Sequence, residues 1–177
     1  MKRKQGKGRK TRRGRKRSKQ RGGASEIPPV EELQGFQFQA EPLSVKFPNG
    51  RTADGSVFPQ ADTVQEPTVI WAVADPSVFR TILCFDPDTK ARSWLHWLVV
   101  NATGDSPFSG DIFMAWAPPT PAQGQHRYYF CLFEHSTKVR PDSEPKERGF
   151  FDVTSFLKEY GMRPLSYAMI KVNAPNS

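Results

Sequence analysis

The first 23 positions contain no acidic residue and, after Met1, no apolar one, yet they hold 13 of the chain's 26 Lys and Arg. A segment with nothing to bury cannot offset the ~1–2 kcal/mol per residue that ordering a backbone costs. Residues 1–25 are therefore expected to be a disordered basic tail, jointed at Gly22-Gly23. Cysteine is scarce: two in 177 residues exclude a disulfide-dense mini-protein. Long hydrophobic runs are missing too. The longest, Thr68 to Ala74, falls far short of the ~20 residues of a spanning helix, and none follows Met1. Neither a membrane span nor a secretory signal is expected, which implies an intracellular, cytoplasmic protein. No Gly-x-Ser-x-Gly elbow, no His-Glu-x-x-His and no activated nucleophile is visible. The expectation is a non-enzyme without cofactor or metal.

The net charge of +8 conceals two objects. From residue 24 onward there are 13 basic and 18 acidic residues, a net charge of −5. The tail has three readings. It suits sequence-nonspecific nucleic acid, because each neutralised phosphate releases counterions and no aromatic residue is present to stack on bases. It suits nuclear import, since Lys2-Arg3-Lys4 and Arg15-Lys16-Arg17, flanking Arg12-Arg13, are short cationic clusters, and this is the basis for a nuclear placement. It suits acidic lipid headgroups, at about 1 kcal/mol per cation near the surface. A mitochondrial presequence is not expected, because no helix here would have an apolar face.

The remainder, residues 26–177, is sized for one domain. It holds all 16 prolines and all the aromatic residues, 12% of the full chain, which argues against a helical bundle and for a mainly β globule. Short apolar runs at 44–47, 68–74, 79–85, 94–100, 112–116, 128–133 and 165–172 read as strands. They are punctuated by Pro48-Asn49-Gly50, Asp54-Gly55, Asp86-Pro87-Asp88, Gly104-Asp105 and Pro118-Pro119. The runs 82–85 and 129–133 are apolar on both faces and should lie centrally in a sheet covered on both sides. Cys84 and Cys131, within them, read as small buried hydrophobes, although sequence alone leaves a disulfide open. A short helical turn is expected at 30–33. One helix is clear: Asp152 caps it, Val153, Phe156, Leu157 and Tyr160 share a face, and Gly161 closes it.

Polar residues gather at strand ends in two places. Asp86-Pro87-Asp88 ends one apolar strand and is followed by His96 inside another, where a buried imidazole needs a partner. Pro118-Pro119-Thr120-Pro121 then leads through Gly124 to His126-Arg127-Tyr128. His135 reads as a surface loop residue, and Glu134, Glu144 and Glu147 as solvated charge.

The succession Asp86-Pro87-Asp88, then Leu95-His96-Trp97-Leu98-Val99-Val100-Asn101, then Pro119-x-Pro121-x-x-Gly124-x-His126-Arg127-Tyr128 resembles the phosphatidylethanolamine-binding protein family, which includes the Raf kinase inhibitor proteins and plant flowering regulators. Arg148, Phe151, Phe156 and Pro164 fall on its C-terminal pattern, and the likeness spans roughly residues 43–172. It implies a large antiparallel β-sandwich of Greek-key character with a few short flanking helices. It also implies an anion pocket built from Asp86, His96, His126 and Tyr128, supported by Asp88, walled by Pro118 and Pro119, and rimmed by Trp94 and Trp116. Each imidazole would donate an N–H to a phosphate oxygen. A nearby carboxylate would fix the tautomer and favour the charged ring, and binding would tighten as pH falls below the ordinary His value of about 6.5. The function so implied is a monomeric binding module for a phosphorylated small molecule or phospholipid headgroup that regulates or scaffolds a protein partner. The alternative is a nucleic-acid-associated structural protein that works through its tail. Three departures from the family stand out. The loop between Asp88 and His96 is short, Lys90 and Arg92 add charge there, and no helix follows the last strand, so a more open pocket is expected.

Overall fold

The computed structural model describes residues 30–72, 75 and 77–175; the basic tail expected at 1–25 and the last two residues of the run 68–74 lie outside them. The alternation of apolar runs and turns becomes eight strands: β1 Leu43–Lys46, β2 Val57–Phe58, β3 Thr68–Trp71, β4 Phe79–Asp86, β5 Trp94–Ala102, β6 Asp111–Met114, β7 Gln125–His135 and β8 Arg163–Asn173. One α-helix, α1, spans Val153–Glu159, and a 3-10 turn at Glu31–Leu33 stands where a helical turn was expected. Only β2 has no counterpart in the sequence reading. Two residues show no periodicity, and the strand exists because it pairs, in parallel, with the end of β8.

Six strands form one sheet in the order β2-β8-β7-β4-β5-β6, and β1 pairs with β3 in a second, antiparallel ribbon. Strands β4, β5 and β6 are successive antiparallel neighbours, and β7 returns to lie on the free side of β4. That return, beside the first of three hairpin-linked strands, is a Greek key.

Both faces of the large sheet are covered. On one, Leu83, Phe85, Tyr129, Cys131 and Phe133 pack under Leu33, Phe38 and the Val153, Phe156 and Leu157 stripe of α1. On the other, Ile82, Cys84, Phe130 and Leu132 pack against Val45, Phe47, Val69 and Trp71 of the small ribbon and its flank. This double cover is why β4 and β7 read as continuous apolar runs. It also answers the cysteine question. Cys131 is opposite Leu83 and Cys84 opposite Phe130, so the two thiols face opposite sides of the sheet, and both are free. Among the described residues no helix is long and apolar enough to cross a membrane.

The helix is only seven residues long, too short to persist without tertiary burial. Its entry is secured by Asp152, whose side chain accepts the Ser155 N–H at 2.9 Å, and its exit by Gly161 at φ 57°.

Two expectations fail at the far end of β7. His135 is a buried strand residue, 3% exposed, and not a loop residue. Its Nε2 lies 2.9 Å from the Thr81 hydroxyl, and its Nδ1 donates to the Thr137 carbonyl at 2.7 Å. Glu134 is not free charge: it accepts from Arg80 at 3.1 Å and Arg163 at 2.5 Å. The ladder runs two residues past the apolar run, and pairing with β4 and β8 covers both side chains.

Asn101 ends the regular part of β5 in the left-handed region, at φ 61°. Its amide nitrogen donates to Asp111 and to the Val139 carbonyl, and its oxygen accepts the Val139 N–H at 2.8 Å. Asn101→Ala orphans both Val139 backbone groups and places a less tolerant residue at positive φ. The expected loss is about 2–4 kcal/mol of stability, read from urea unfolding midpoints.

Candidate functional site

The turn Asp86-Pro87-Asp88 closes on itself. Asp86 Oδ1 accepts the Asp88 N–H at 2.8 Å, and Pro87 removes the one backbone donor that would compete. The two carboxylates then straddle the start of β7, where consecutive side chains point to opposite faces. Asp86 Oδ2 accepts the His126 Nδ1–H at 2.7 Å. Asp88 accepts the Arg127 backbone N–H at 2.8 Å, its Nε–H at 2.9 Å and an Nη2–H at 2.6 Å. One dipeptide of β7 is thus gripped from both sides.

His96 arrives by a different device. Cys84 pairs with Trp97 and the next residue, Phe85, pairs with Leu95, so His96 is the extra residue of a β-bulge. Strict alternation would put Leu95 and Trp97 on the same face. Instead Leu95 packs with Phe85 in one core and Trp97 with Cys84 in the other. The bulge frees His96 to turn toward β7, where its ring meets Tyr128 edge-on at 4.9 Å and Trp94 at 4.6 Å. Ala117 holds it. The His96 Nδ1–H donates to the Ala117 carbonyl at 2.7 Å, and the Ala117 N–H donates back to the His96 carbonyl at 2.8 Å. Arg148 supports the distorted backbone, donating to the carbonyls of Leu95, His96 and Ala115 at 2.8–3.0 Å while lying over the Trp94 ring.

These groups surround a cavity of 560 Å³, within the range of small-ligand sites. Of the residues expected there, Asp86, Asp88, Trp94, His96, His126 and Tyr128 line it. Trp116, Pro118 and Pro119 do not. Trp116 stacks on Phe130 and meets Phe47 and Trp97, so it belongs to the core behind His96. Pro118 and Pro119 follow Ala117 without entering the lining, and the wall is supplied one step later by Thr120, Pro121, Ala122 and Gln123. Thr89, Lys90 and Ala91 complete the lining, and the Thr89 hydroxyl is buried without a partner. The signal for Thr89 was its place directly after Asp-Pro-Asp. The roles of Arg127 and Arg148 had no local signal, because each acts on backbone or side chains of other strands.

The electrostatics separate the two imidazoles. Burial pushes the Asp86 carboxyl above its ordinary value, against the pull of the His126 hydrogen bond. Burial would raise Asp88 also, but the Arg127 hydrogen bonds and charge outweigh it and hold that carboxyl low. Burial, then the neighbouring Asp86, keeps the Tyr128 phenol protonated. His96 has no carboxylate. Burial drives it down to about 4, the hydrogen bond to the Ala117 carbonyl opposes this, and the charges of Arg148 and His126 add to the depression. The expected carboxylate support therefore reaches only His126, and His96 is a neutral ring near pH 7. Among the described residues no group of three His, Cys, Asp or Glu is placed to share a metal.

A depressed imidazole is a stability switch. Between its unfolded value of about 6.5 and the folded value of about 4, only the unfolded chain binds the proton, so stability falls as pH falls through that window. The contribution is on the order of 3 kcal/mol. Urea unfolding of the wild type and His96→Gln at pH 7 and pH 4.5 should show the wild type losing the more stability by a large part of that amount. Equal losses would mean the ring is not held neutral.

Comparison with known proteins agrees with this architecture. The chain matches the family described as "Phosphatidylethanolamine-binding protein" over residues 44–167. A Drosophila melanogaster protein, named provisionally as odorant-binding protein A5, is 31% identical over 137 residues, 69% of this chain and 65% of that one. Among solved structures, a carboxypeptidase Y inhibitor complexed with its cognate proteinase superposes with a TM-score of 0.69 at 16% identity, over 79% of this chain and 86% of the other. A phosphatidylethanolamine-binding protein from Plasmodium vivax gives 0.66 at 15% identity, over 84% and 93%. With the matched span running from β1 into β8 and so enclosing the Asp-Pro-Asp turn, the bulged His96 and the His126-Arg127-Tyr128 start of β7, the chain belongs to the phosphatidylethanolamine-binding protein family.

Proposed function

We propose that this chain is a non-catalytic binding module whose cavity beside Asp86 and His126 takes a phosphate group, carried by a small molecule or a lipid headgroup. The observation that carries this reading is the convergence of His96, His126 and Tyr128 on one cavity, with Lys90 exposed at its edge. His126, anchored to Asp86 through Nδ1, offers an Nε2–H to an anion when its ring is protonated, and Lys90 adds positive charge at the edge. Asp86 suits an ammonium on the same ligand. Proteins related to this one are named for odorant binding and solved as a proteinase inhibitor, which favours a regulator or scaffold of a protein partner over a catalyst.

Phosphoethanolamine titrated into isotope-labelled protein should shift the His96 and His126 imidazole resonances and leave His135, buried at the other end of β7, in place. Unmoved His96 and His126 rings at millimolar ligand would remove the reading.

A second reading rests on the tail, where Lys2, Arg3, Lys4, Arg12, Arg13, Arg15, Lys16 and Arg17 stand with no acidic residue among them before a net acidic remainder. Deleting residues 1–23 should abolish retention on RNA or DNA columns and flatten its salt dependence, each lost phosphate contact removing about 0.9 from the log–log slope. Unchanged retention would exclude the tail as a polyanion binder.

A further inference from the structure

A second cavity lies along the edge of β8 that faces away from β7. Only the end of that edge is covered by β2, where Val57 and Phe58 stand opposite Lys171 and Val172. Nearer the middle, two loops are pinned to β8 carbonyls instead. Leu165 accepts the Gln39 and Glu41 N–H groups at 2.9 and 3.2 Å, and Met169 accepts the Gly55 N–H at 2.7 Å. At ~3.3 Å per residue these anchor points stand about 13 Å apart along the strand. The Gln39 and Glu41 N–H groups converge on one carbonyl because the chain curls between them at Ala40, φ 54°. The space between the loops is a cavity of 540 Å³, and it shares no lining residue with the site around His126.

The lining has a character of its own. Phe38, Leu43, Ala53, Ala168 and Met169 give it an apolar surface, and Phe38 meets the Tyr167 ring edge-on at 5.3 Å. Its charged groups are the carboxylates Glu41 and Asp54, and among the described residues no Lys, Arg or His lines it. Arg80 donates to Glu41 Oε2 at 3.3 Å but is shared with Glu134, and no described residue donates to Glu41 Oε1. Hydrogen bonds from Ser56 hold the Asp54 carboxyl below its ordinary value, so it is charged near neutrality. Ser166 points to a ligand. It is 7% exposed and lines the cavity, yet among the described residues its hydroxyl has no hydrogen-bond partner. Buried hydroxyls are ordinarily paired. This one is not sealed away as the Thr89 hydroxyl is, so its partner can come from the cavity.

We propose that this cavity binds a small primary amine with an apolar body. An ammonium is all donor, with three N–H groups and no lone pair. Glu41 and Ser166 both adjoin Leu165, so Glu41 Oε1 and the Ser166 oxygen accept from the ammonium at one end of the cavity. The apolar body then lies along Ala168 and Met169 between the loops, and Asp54 adds to the negative field from the second loop. An anion of the same shape meets two carboxylates and no cation. A neutral alcohol forgoes the charge-assisted bonds. The volume suits a whole small molecule.

The test uses the full chain labelled with carbon-13 at its methionine methyls. Of the described methionines only Met169 lines the cavity, while Met114 and Met162 report on the core under α1. Phenethylamine should shift the Met169 methyl saturably and leave Met114 and Met162 in place. Phenylethanol, the same body without the charge, and phenylacetate, with the charge reversed, should each bind at least tenfold more weakly. Glu41→Gln, whose amide oxygen can still accept from Arg80, and Ser166→Ala should each weaken phenethylamine binding roughly tenfold. Acetyl-lysine amide, with its free side-chain ammonium on a protein-like stem, should bind more weakly than phenethylamine. No Met169 shift at millimolar amine, or equal binding of amine and alcohol, overturns the inference. So does undiminished binding in either variant, or a preference for the lysine derivative, which would make the cavity a surface for a protein's lysine. The wild-type titrations decide the matter if a variant misfolds, and none of these outcomes bears on the phosphate reading.

Discussion

A carboxylate that is 1% exposed must be compensated, and Asp86 is compensated by short-range partners: the His126 ring, the Asp88 N–H and the Tyr128 hydroxyl. Stripping a buried acid of such contacts costs several kcal/mol, so this local demand constrains everything around it. It requires the turn after β4 to fold back on itself, and it requires β7 to begin in a register that brings His126 alongside. With that register set, Arg127 emerges on the opposite face of the strand, where Asp88 meets it. The site and the strand pairing at the centre of the large sheet are therefore one construction.

His96 reaches the same cavity at the expense of regular pairing. A bulge leaves backbone groups displaced from the ladder, and Arg148 and Ala117 occupy those carbonyls. The strain is thus met by a residue far along the chain, and the ring is delivered without a carboxylate of its own. Two imidazoles that look equivalent in the primary structure have different surroundings: one is paired with an acid, the other is embedded and kept neutral.

The relatives fit a scaffold whose shape depends on burial pattern more than on residue identity. At 15–16% identity the fold is still shared over most of both chains. The double-faced apolar strands and the Greek-key return account for this, since many combinations of Val, Leu, Phe and Tyr fill such layers equally well. Function does not travel with the layers. The proposed site lies at the strand ends, where the loop from Asp88 to His96 brings Lys90 to the cavity.

Periodicity is a local property, and what depends on it was legible from the residues alone. The strands around Ile82–Phe85 and Tyr129–Phe133, their central placement, the Asp152-capped helix and the order of the acidic and histidine motifs all follow from spacings of a few positions. The tertiary structure decided what depends on long-range register. It buried His135 and paired Glu134, because pairing extended β7 beyond its apolar run. It moved Trp116, Pro118 and Pro119 out of the cavity lining and brought in Thr89 and Thr120 to Gln123, because the bulge turned His96 across the chain that follows β6. It assigned the single available carboxylate to His126 and a carbonyl to His96. Neither partner lies near its histidine in sequence, so no reading along the chain could have told the two rings apart.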